Sequence, residues 1–442
     1  MCAFSRRPCD RPRLVTWRAV ILGILAIAAP ARADDAWIEP LAEVALHLAA
    51  AHEADRAYQK VAHPRDVTGV FALSCEGTEG RPCGDGAGAY AEAESRAGWG
   101  DWLVAGARLR ARGGSERYGG RADPVRDVGL GTAGIDVDRL HVTARRAGFE
   151  LEVGRDAFAL GPGAHTNVGW SDNAPPLDFA RASYGSERGG LLYLVGRLRD
   201  PQALHGNLVT IARGELVAGP VVLGAMQLLQ LEGEGAPHLG AWDFITEHVT
   251  RGNPSAGPDD SSNRRVGFDV SWRTALGRFY YEVMFEDWRK QFADAIRYDA
   301  DHVVGGEFAH GLVIEWQKTG FRSQEHAVRT TGFTNAERLV GGPLGPDAQA
   351  IYVARRFGTI TPWLEVARLA DDFYTYGAGQ PILRVSEGRA EVRVRAGALA
   401  SRAIDRHLHV EVAARFEQIV NFGFVGGGRT NLGTDLAIVW HP

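Results

Sequence analysis

Residues 149–163 read Phe-Glu-Leu-Glu-Val-Gly-Arg-Asp-Ala-Phe-Ala-Leu-Gly-Pro-Gly, and residues 171–176 read Ser-Asp-Asn-Ala-Pro-Pro. The first six positions alternate strictly. Phe149, Leu151 and Val153 point one way, and Glu150, Glu152 and Gly154 the other. Such a period belongs to a strand with one apolar and one polar face. Gly161-Pro162-Gly163 ends it in a turn, and the Asn173-Ala174-Pro175-Pro176 run fixes a second irregular segment. A two-faced strand feeding a long Gly/Pro-rich loop is the mark of a sheet that carries its function in its loops.

Outward from this stretch the same texture fills most of the chain of 442 residues. Leu140, Val142 and Ala144 alternate with His141, Thr143 and Arg145. Val266, Phe268, Val270 and Trp272 alternate with Arg265, Asp269, Ser271 and Arg273. The segments at 279–286, 360–366, 391–396, 407–417 and 436–440 repeat the pattern. No window after residue 99 combines a helical period with helix caps. A propeller would show a repeated motif at fixed spacing, and none is found. The polar faces carry both Arg and Glu/Asp, which suits a barrel lumen where opposite charges pair. The fold class expected is all-β: a transmembrane antiparallel β-barrel of roughly 16–18 strands. Trp272, Phe279, Trp288, Trp316, Trp363, Phe422, Phe424 and Trp440 stand near segment ends, where interfacial girdles lie. Long loops are expected at 160–178, 233–262, 287–302, 333–348 and 371–388.

The N-terminal part divides in two. Residues 1–33 read as a secretory signal: a basic region with Arg6, Arg7, Arg11, Arg13 and Arg18, an apolar core Ala19–Ala29, and the small-x-small site Ala31-Arg32-Ala33. The apolar run is shorter than the roughly 20 residues a membrane-spanning helix needs. Cleavage near Ala33 takes the formal net charge from −5 to −10, because residues 1–33 hold six Arg and one Asp. An acidic mature chain argues against nucleic-acid binding, which needs a basic face. Residues 34–97 read as a small helical or plug segment before a barrel at 98–442, because Trp37, Leu41, Val44 and Leu48 recur at helical spacing in 37–60. Cys75 and Cys83, in a Gly-rich loop of an exported chain, are expected to form a disulfide.

The Gly154-Arg155, Gly161-Pro162-Gly163 and Ser171-Asp172-Asn173-Ala174-Pro175-Pro176 motifs resemble the capsule assembly Wzi family of outer-membrane barrels. Asn263…Gly267-Phe268-Asp269 and Phe285-Glu286-Asp287 are similar in kind, and the resemblance covers residue 130 to the C-terminus. It implies a closed barrel with an N-terminal helical bundle as plug. It implies a lectin-like role in which capsular or extracellular polysaccharide is retained at the cell surface, without catalysis or cofactor. The partners expected are polysaccharide, outer-membrane lipid and other polysaccharide-export components. A porin or channel for small solutes such as carbohydrates is the competing reading.

Trp170, Asp172, Asn173 and Arg155 form the expected sugar-contact set: an aromatic face for the apolar side of a pyranose, with polar groups for its hydroxyls. Gly161, Pro162, Gly163, Asn173, Pro175 and Pro176 also read as a structural device that folds a loop into or over the pore. Other candidates carry blander readings. His407-x-His409 lacks a third metal ligand. Glu286-Asp287 and Asp371-Asp372 would need a separation set by the fold to act as a glycosidase pair. Asp259-Asp260 and Asp299…Asp301 lack a calcium-loop signature. There is no nucleophile elbow and no phosphate loop.

Overall fold

The computed structural model describes residues 36–53, 86–114, 133–171, 173–199, 207–232, 262–286, 295–321, 332–335, 338–370, 389–422 and 426–441, with short pieces at 58–61, 70–73, 239, 244, 323–324, 372–375 and 383–386. Eighteen antiparallel strands form one closed sheet. They are β1 (Ala36–Glu53), β2 (Gly86–Trp99), β3 (Leu103–Gly114), β4 (Ala133–Arg146), β5 (Phe149–Asp156) and β6 (Leu177–Ser186). Then come β7 (Gly189–Leu198), β8 (Asn207–Ala218), β9 (Val221–Glu232), β10 (Ser262–Thr274), β11 (Gly277–Phe285) and β12 (Ala300–Phe308). The last six are β13 (Leu312–Lys318), β14 (Ala348–Arg355), β15 (Ile360–Leu369), β16 (Glu391–Ala403), β17 (Leu408–Val420) and β18 (Gly428–Trp440). Every strand pairs with its sequence neighbour, and β1 closes the ring on β18, with Val44 opposite Trp440 and Glu53 opposite Asn431.

Closure is what the solvent demands. In hydrocarbon no water satisfies a free N–H or C=O, so a sheet survives there only without edges. Among the described residues no helix is long and apolar enough to cross a membrane. The wall has two chemical faces. Leu191, Leu223, Phe268, Leu364, Val412 and Phe416 point outward and are exposed. Inward-facing residues one position away pair their charges. Arg213 holds Asp269 at 2.7 Å, Arg110 holds Glu92 at 2.5 Å, and Arg395 is bonded to Glu365. The strand at 149–156 behaves as its alternation predicts: Phe149 lies outside, and Glu150 and Glu152 face the lumen on Arg181.

The connections divide by length. Links of two to four residues at 100–102, 147–148, 187–188, 219–220, 275–276, 309–311, 356–359 and 404–407 all lie at one end. The strand ends that begin and finish the longer connections, 54–85, 115–132, 157–176, 233–261, 286–299, 319–347 and 370–390, are at the other. Short turns face the periplasm and long loops the exterior in barrels of this kind. Two register shifts interrupt the ladder, between Glu39 and Glu43 in β1 and opposite Arg108/Leu109 in β4. The second is a bulge that sends both Asp138 and Arg139 inward, where Asp138 meets Arg110 at 3.2 Å.

Three expectations are corrected. Residues 37–60 are not a helix: Ala36–Glu53 is β1, bonded on both edges to β2 and β18. The helical stripe arises because alanines fill the segment, so the alternation of Val44, Leu46 and Leu48 is diluted; the need to close the ring overrides local propensity. Residues 34–97 therefore contribute two wall strands, and the barrel begins at Ala36, not at 98. Trp363 points into the lumen, whereas Trp272, Phe279 and Trp440 take outward rim positions. Residues 1–33, Cys75, Cys83, Trp288 and Phe424 lie outside the described residues.

Outward positions in mid-wall should reject charge. Leu364→Arg or Val412→Arg should cost about 2–4 kcal/mol if the site lies at the bilayer midplane. Urea titration of the protein folded into vesicles measures this; a loss below 0.5 kcal/mol in both would place these faces away from lipid.

Candidate binding site: a loop across the lumen and an aromatic wall

The segment after β5 does not rise away from the barrel. It turns inward at Gly161-Pro162-Gly163. Gly161 has φ +132°, and a Cβ there would lie 2.4 Å from Asn167 Oδ1, so only glycine allows the bend. The Gly163 N–H donates to the same Asn167 Oδ1 at 2.8 Å, tying the turn shut. Pro162, Pro175 and Pro176 are buried and stiffen the two ends.

Inside the barrel the loop is held by carboxylates of the wall. Glu315 of β13 accepts from the backbone N–H of Ala164 (3.1 Å), His165 (3.1 Å) and Thr166 (2.9 Å), and from the Tyr280 hydroxyl at 2.7 Å. Glu282 of β11 accepts from Val168 (3.2 Å) and Gly169 (2.9 Å). Glu365 of β15 takes His165 Nε2 at 2.9 Å. The chain leaves the wall at β5 and is caught at β15, ten strands round a ring of eighteen, so it crosses the lumen near its diameter.

The described parts of a second segment, 319–321, 323–324, 332–335 and 338–347, lock onto the first. Ser171 donates to Val340 O from its N–H (2.7 Å) and to Gly341 O from its hydroxyl (2.6 Å). Asn173 Nδ2 donates to Leu339 O at 2.9 Å, and Asn335 Nδ2 to Pro175 O at 2.8 Å. Arg265 of β10, fully buried, joins both segments to the wall. It pairs with Glu286 (2.7 Å) and Asp301 (2.5 Å), donates to Val168 O (3.2 Å), and lies 5.7 Å from the Phe333 ring centroid. The structural motif expected at 161–176 is therefore seen as an inward fold. The plug role given to an N-terminal helical segment falls to these two loops.

The expected sugar-contact residues are not brought together. Trp170 is 3% exposed and stacks on Phe158 at 5.3 Å within the apolar core, so neither ring face is open to a ligand. Asn173 is buried in the loop contact just described. Arg155 faces outward on β5 and pairs with Asp178 at 2.5 Å. Asp172 lies outside the described residues.

A different set of rings faces the lumen. His165, at the exposed tip of the loop, stacks on Tyr352 with centroids 3.7 Å apart and planes 4° apart. Tyr352 continues to Trp363 at 6.3 Å and 30°. Trp363 lies flat over the backbone of β16 because position 397 is glycine; a Cβ there would come within 2.6 Å of the indole. Beside the rings stand Glu365, bonded to Arg395, and Glu417, 3.9 Å from the same guanidinium. Tyr352 and Trp363 sit within a few residues of the short turn at 356–359, so the ladder lines the short-turn mouth. Tyr352 and Trp363 are diagonal neighbours on the β14–β15 hairpin, and His165 reaches them from a segment far away in the chain, so no local sequence signal links the three.

The remaining candidates take structural roles. Glu286 and Asp301 serve Arg265. Asp299 is buried, and Asp259, Asp260, Asp287 and Asp371 lie outside the described residues, as do the side-chain surroundings of Asp372. His407 and His409 do not converge: His407 Nδ1 meets His441 O at 2.7 Å, and His409 meets Ser401 at 2.9 Å. In that turn Asp405 accepts the His407 and Leu408 N–H groups, which hold its carboxyl below the ordinary value.

Hydrogen bonds to a buried carboxylate are worth about 1.5–3 kcal/mol each. Glu315→Ala combined with Glu282→Ala should release the loop while leaving the wall strands intact. The expected result is stepwise conductance in planar bilayers where the parent is silent; a silent double variant that still migrates as a folded barrel would show that the clamp does not seal the lumen.

No family model matches the sequence, and no curated protein matches it. In structure, the chain is similar to Wzi of Escherichia coli, described as an outer-membrane, carbohydrate-binding β-barrel involved in group 1 capsule assembly, with TM-score 0.58 and 11% identity over 90% of this chain and 84% of that one. OccK5 (OpdH) of Pseudomonas aeruginosa gives TM-score 0.49 and 10% identity over 92% and 98%. The outer-membrane channel DcaP of Acinetobacter baumannii gives 0.41 and 9% over 93% and 99%. The architecture shared with Wzi, together with the closed ring and apolar outer face, gives this chain the fold of an outer-membrane β-barrel.

Proposed function

We propose that the protein is a non-conducting barrel that binds exported capsular or extracellular polysaccharide and retains it at the outer membrane. It is a lectin-like component of the cell envelope with no catalytic step. The observation that carries this reading is the His165–Tyr352–Trp363 ladder beside paired Arg and Glu groups; it lies near the short turns, so the glycan it takes is met from the periplasmic side of the crossing loop, on its way out. A pyranose has an apolar face of axial C–H groups and a rim of hydroxyls. The exposed face of the His165 ring takes the first, and the buried Arg395–Glu365 pair fixes that ring in place through the Glu365–His165 contact. The fold it shares with a carbohydrate-binding barrel supports the same reading. An N-terminal signal over 1–33 and association with other export components belong to the proposal.

The competing role is a solute channel. It fits the fold equally well, and an aromatic ladder could also line a sugar path. The loop crossing the diameter argues against it, because five loop N–H groups and one imidazole hold that loop to the wall.

Trp363→Ala should weaken binding of purified polysaccharide at least about tenfold, equivalent to about 1.4 kcal/mol, with heat-modifiable migration unchanged. Isothermal titration against oligosaccharides cut from the host's own polysaccharide measures it. A deletion strain should shed polysaccharide into the medium while making normal amounts. Unchanged affinity in the variant together with unchanged cell-bound polysaccharide in the deletion would end this reading.

A further inference from the structure

The outer wall is not uniform, and one sector departs from what a lipid-facing wall requires. On β5 the outward residues from the short-turn end are Phe149, Leu151 and Val153, and the next is Arg155. On β6 they are Tyr184, Ala182 and Ala180, then Asp178; on β7 they are Leu191, Tyr193 and Val195, then Arg197. Six residues span roughly 20 Å along a strand. At a tilt of about 40° that is roughly 15 Å of height, against an apolar band of about 25 Å in such barrels. On β17 the wall is taller: Leu408, Val410, Val412, Ala414 and Phe416 precede the first polar outward residue, Gln418; β12 and β13 are as short as β5–β7, but there the run ends in His302 and Lys318, not in a cluster of arginines.

The ionic groups that cut this sector short form an ordered cluster. Asp178 receives Arg155 at 2.5 and 3.2 Å, and Arg199 at 2.9 and 2.8 Å. Arg155 is held further by Val137 O at 3.1 Å, and Arg197 is exposed beside them. Two guanidinium groups on one carboxylate, with Arg197 opposite Asp178 in the strand register, leave two positive charges in excess at this place.

Directly below, toward the short turns, the same strands form a trough of about 940 Å³. Small outward residues hollow it out, with Ala182, Ala212 and Ala225 on its floor, and Tyr184, Leu191 and Tyr193 stand around them. The trough and the cluster are independent features, and they are aligned along the strands. One is apolar and elongated; the other is cationic, preorganised and at the exterior end.

We propose that this sector is a specific lipid site, occupied by a phosphorylated glycolipid of the outer leaflet. An acyl chain lies in the trough, and a headgroup phosphate is taken by Arg155, Arg197 and Arg199. Guanidinium groups bind phosphate through paired N–H donors, and Asp178 holds two of the three in place for it. The short apolar wall draws the headgroup layer inward at this sector, which brings the phosphate to the arginines. Because the cluster lies at the long-loop end, the leaflet concerned is the outer one. The site is on the outside of the barrel and is independent of the polysaccharide reading.

The test uses full-length protein extracted in mild detergent and analysed by native mass spectrometry after incubation with three probes: phosphorylated lipid A, its dephosphorylated form, and phosphatidylglycerol. Retention of phosphorylated lipid A, at least tenfold over the other two, is expected. The pair Arg155→Gln and Arg197→Gln should abolish that preference. Ala212→Trp, which fills the trough and leaves every charge in place, should lower lipid retention with the charges intact. Heat-modifiable migration confirms that each variant is folded. Equal retention of all three probes by the parent, preferential retention of phosphatidylglycerol, or unchanged preference in the folded double Gln variant would overturn the proposal.

Discussion

The interior of this barrel depends on a simple exchange. A loop brought into the lumen carries backbone N–H groups away from water, and each needs an acceptor. Glu282 and Glu315 supply carboxyl acceptors placed on rigid wall strands, and five successive or near-successive amides point at them. The carboxylates in turn are desolvated by the loop and need those donors. Neither half is stable in place without the other. This reciprocity explains why the loop crosses the barrel along one course, and why Gly161 and Gly163 must bend it within a few residues of the wall.

The wall shows the same reasoning at larger scale. Inward charges are too costly to bury singly, so they come as alternating pairs around the ring: Arg110 with Glu92 and Asp138, Arg213 with Asp269, Arg395 with Glu365. Arg265 is the extreme case, with two acids, a loop carbonyl and an aromatic ring on one buried guanidinium. It links the wall to both inward segments. Rearranging either segment therefore removes a contact from this guanidinium, while its ion pairs to Glu286 and Asp301 stay with the wall.

Much of this was legible in the sequence, for a physical reason. A membrane strand must alternate, so Phe149–Asp156 announced its faces, and the mixed charge of the 391–395 and 407–417 strands announced a lumen. What failed was whatever depended on distant partners. The alanine-rich β1 reads as a helix until β18 is seen to need it. Trp170 has the composition of a sugar contact, yet Phe158 and the core cover it. Trp363 was read as a girdle residue because its position near a strand end is visible and its inward phase, set by pairing with Gly397, is not. The bulge that turns both Asp138 and Arg139 inward leaves no sign in either residue.

The outer and inner faces together limit the functions open to the molecule. A conducting pore profits from an empty lumen and loops that stay at the rim. Here the lumen holds a loop whose displacement would strip Glu282 of its two amide donors and, among the described residues, leave Glu315 with only the Tyr280 hydroxyl, at a cost of several hydrogen bonds. Such a loop is poorly suited to frequent opening by thermal motion. What the lumen does keep accessible is a set of rings, of which His165 is supplied by the loop itself. The loop thus completes the ladder at the same point where it obstructs passage. A part that both narrows the route and builds the ring surface is the physical basis of the proposed holding role.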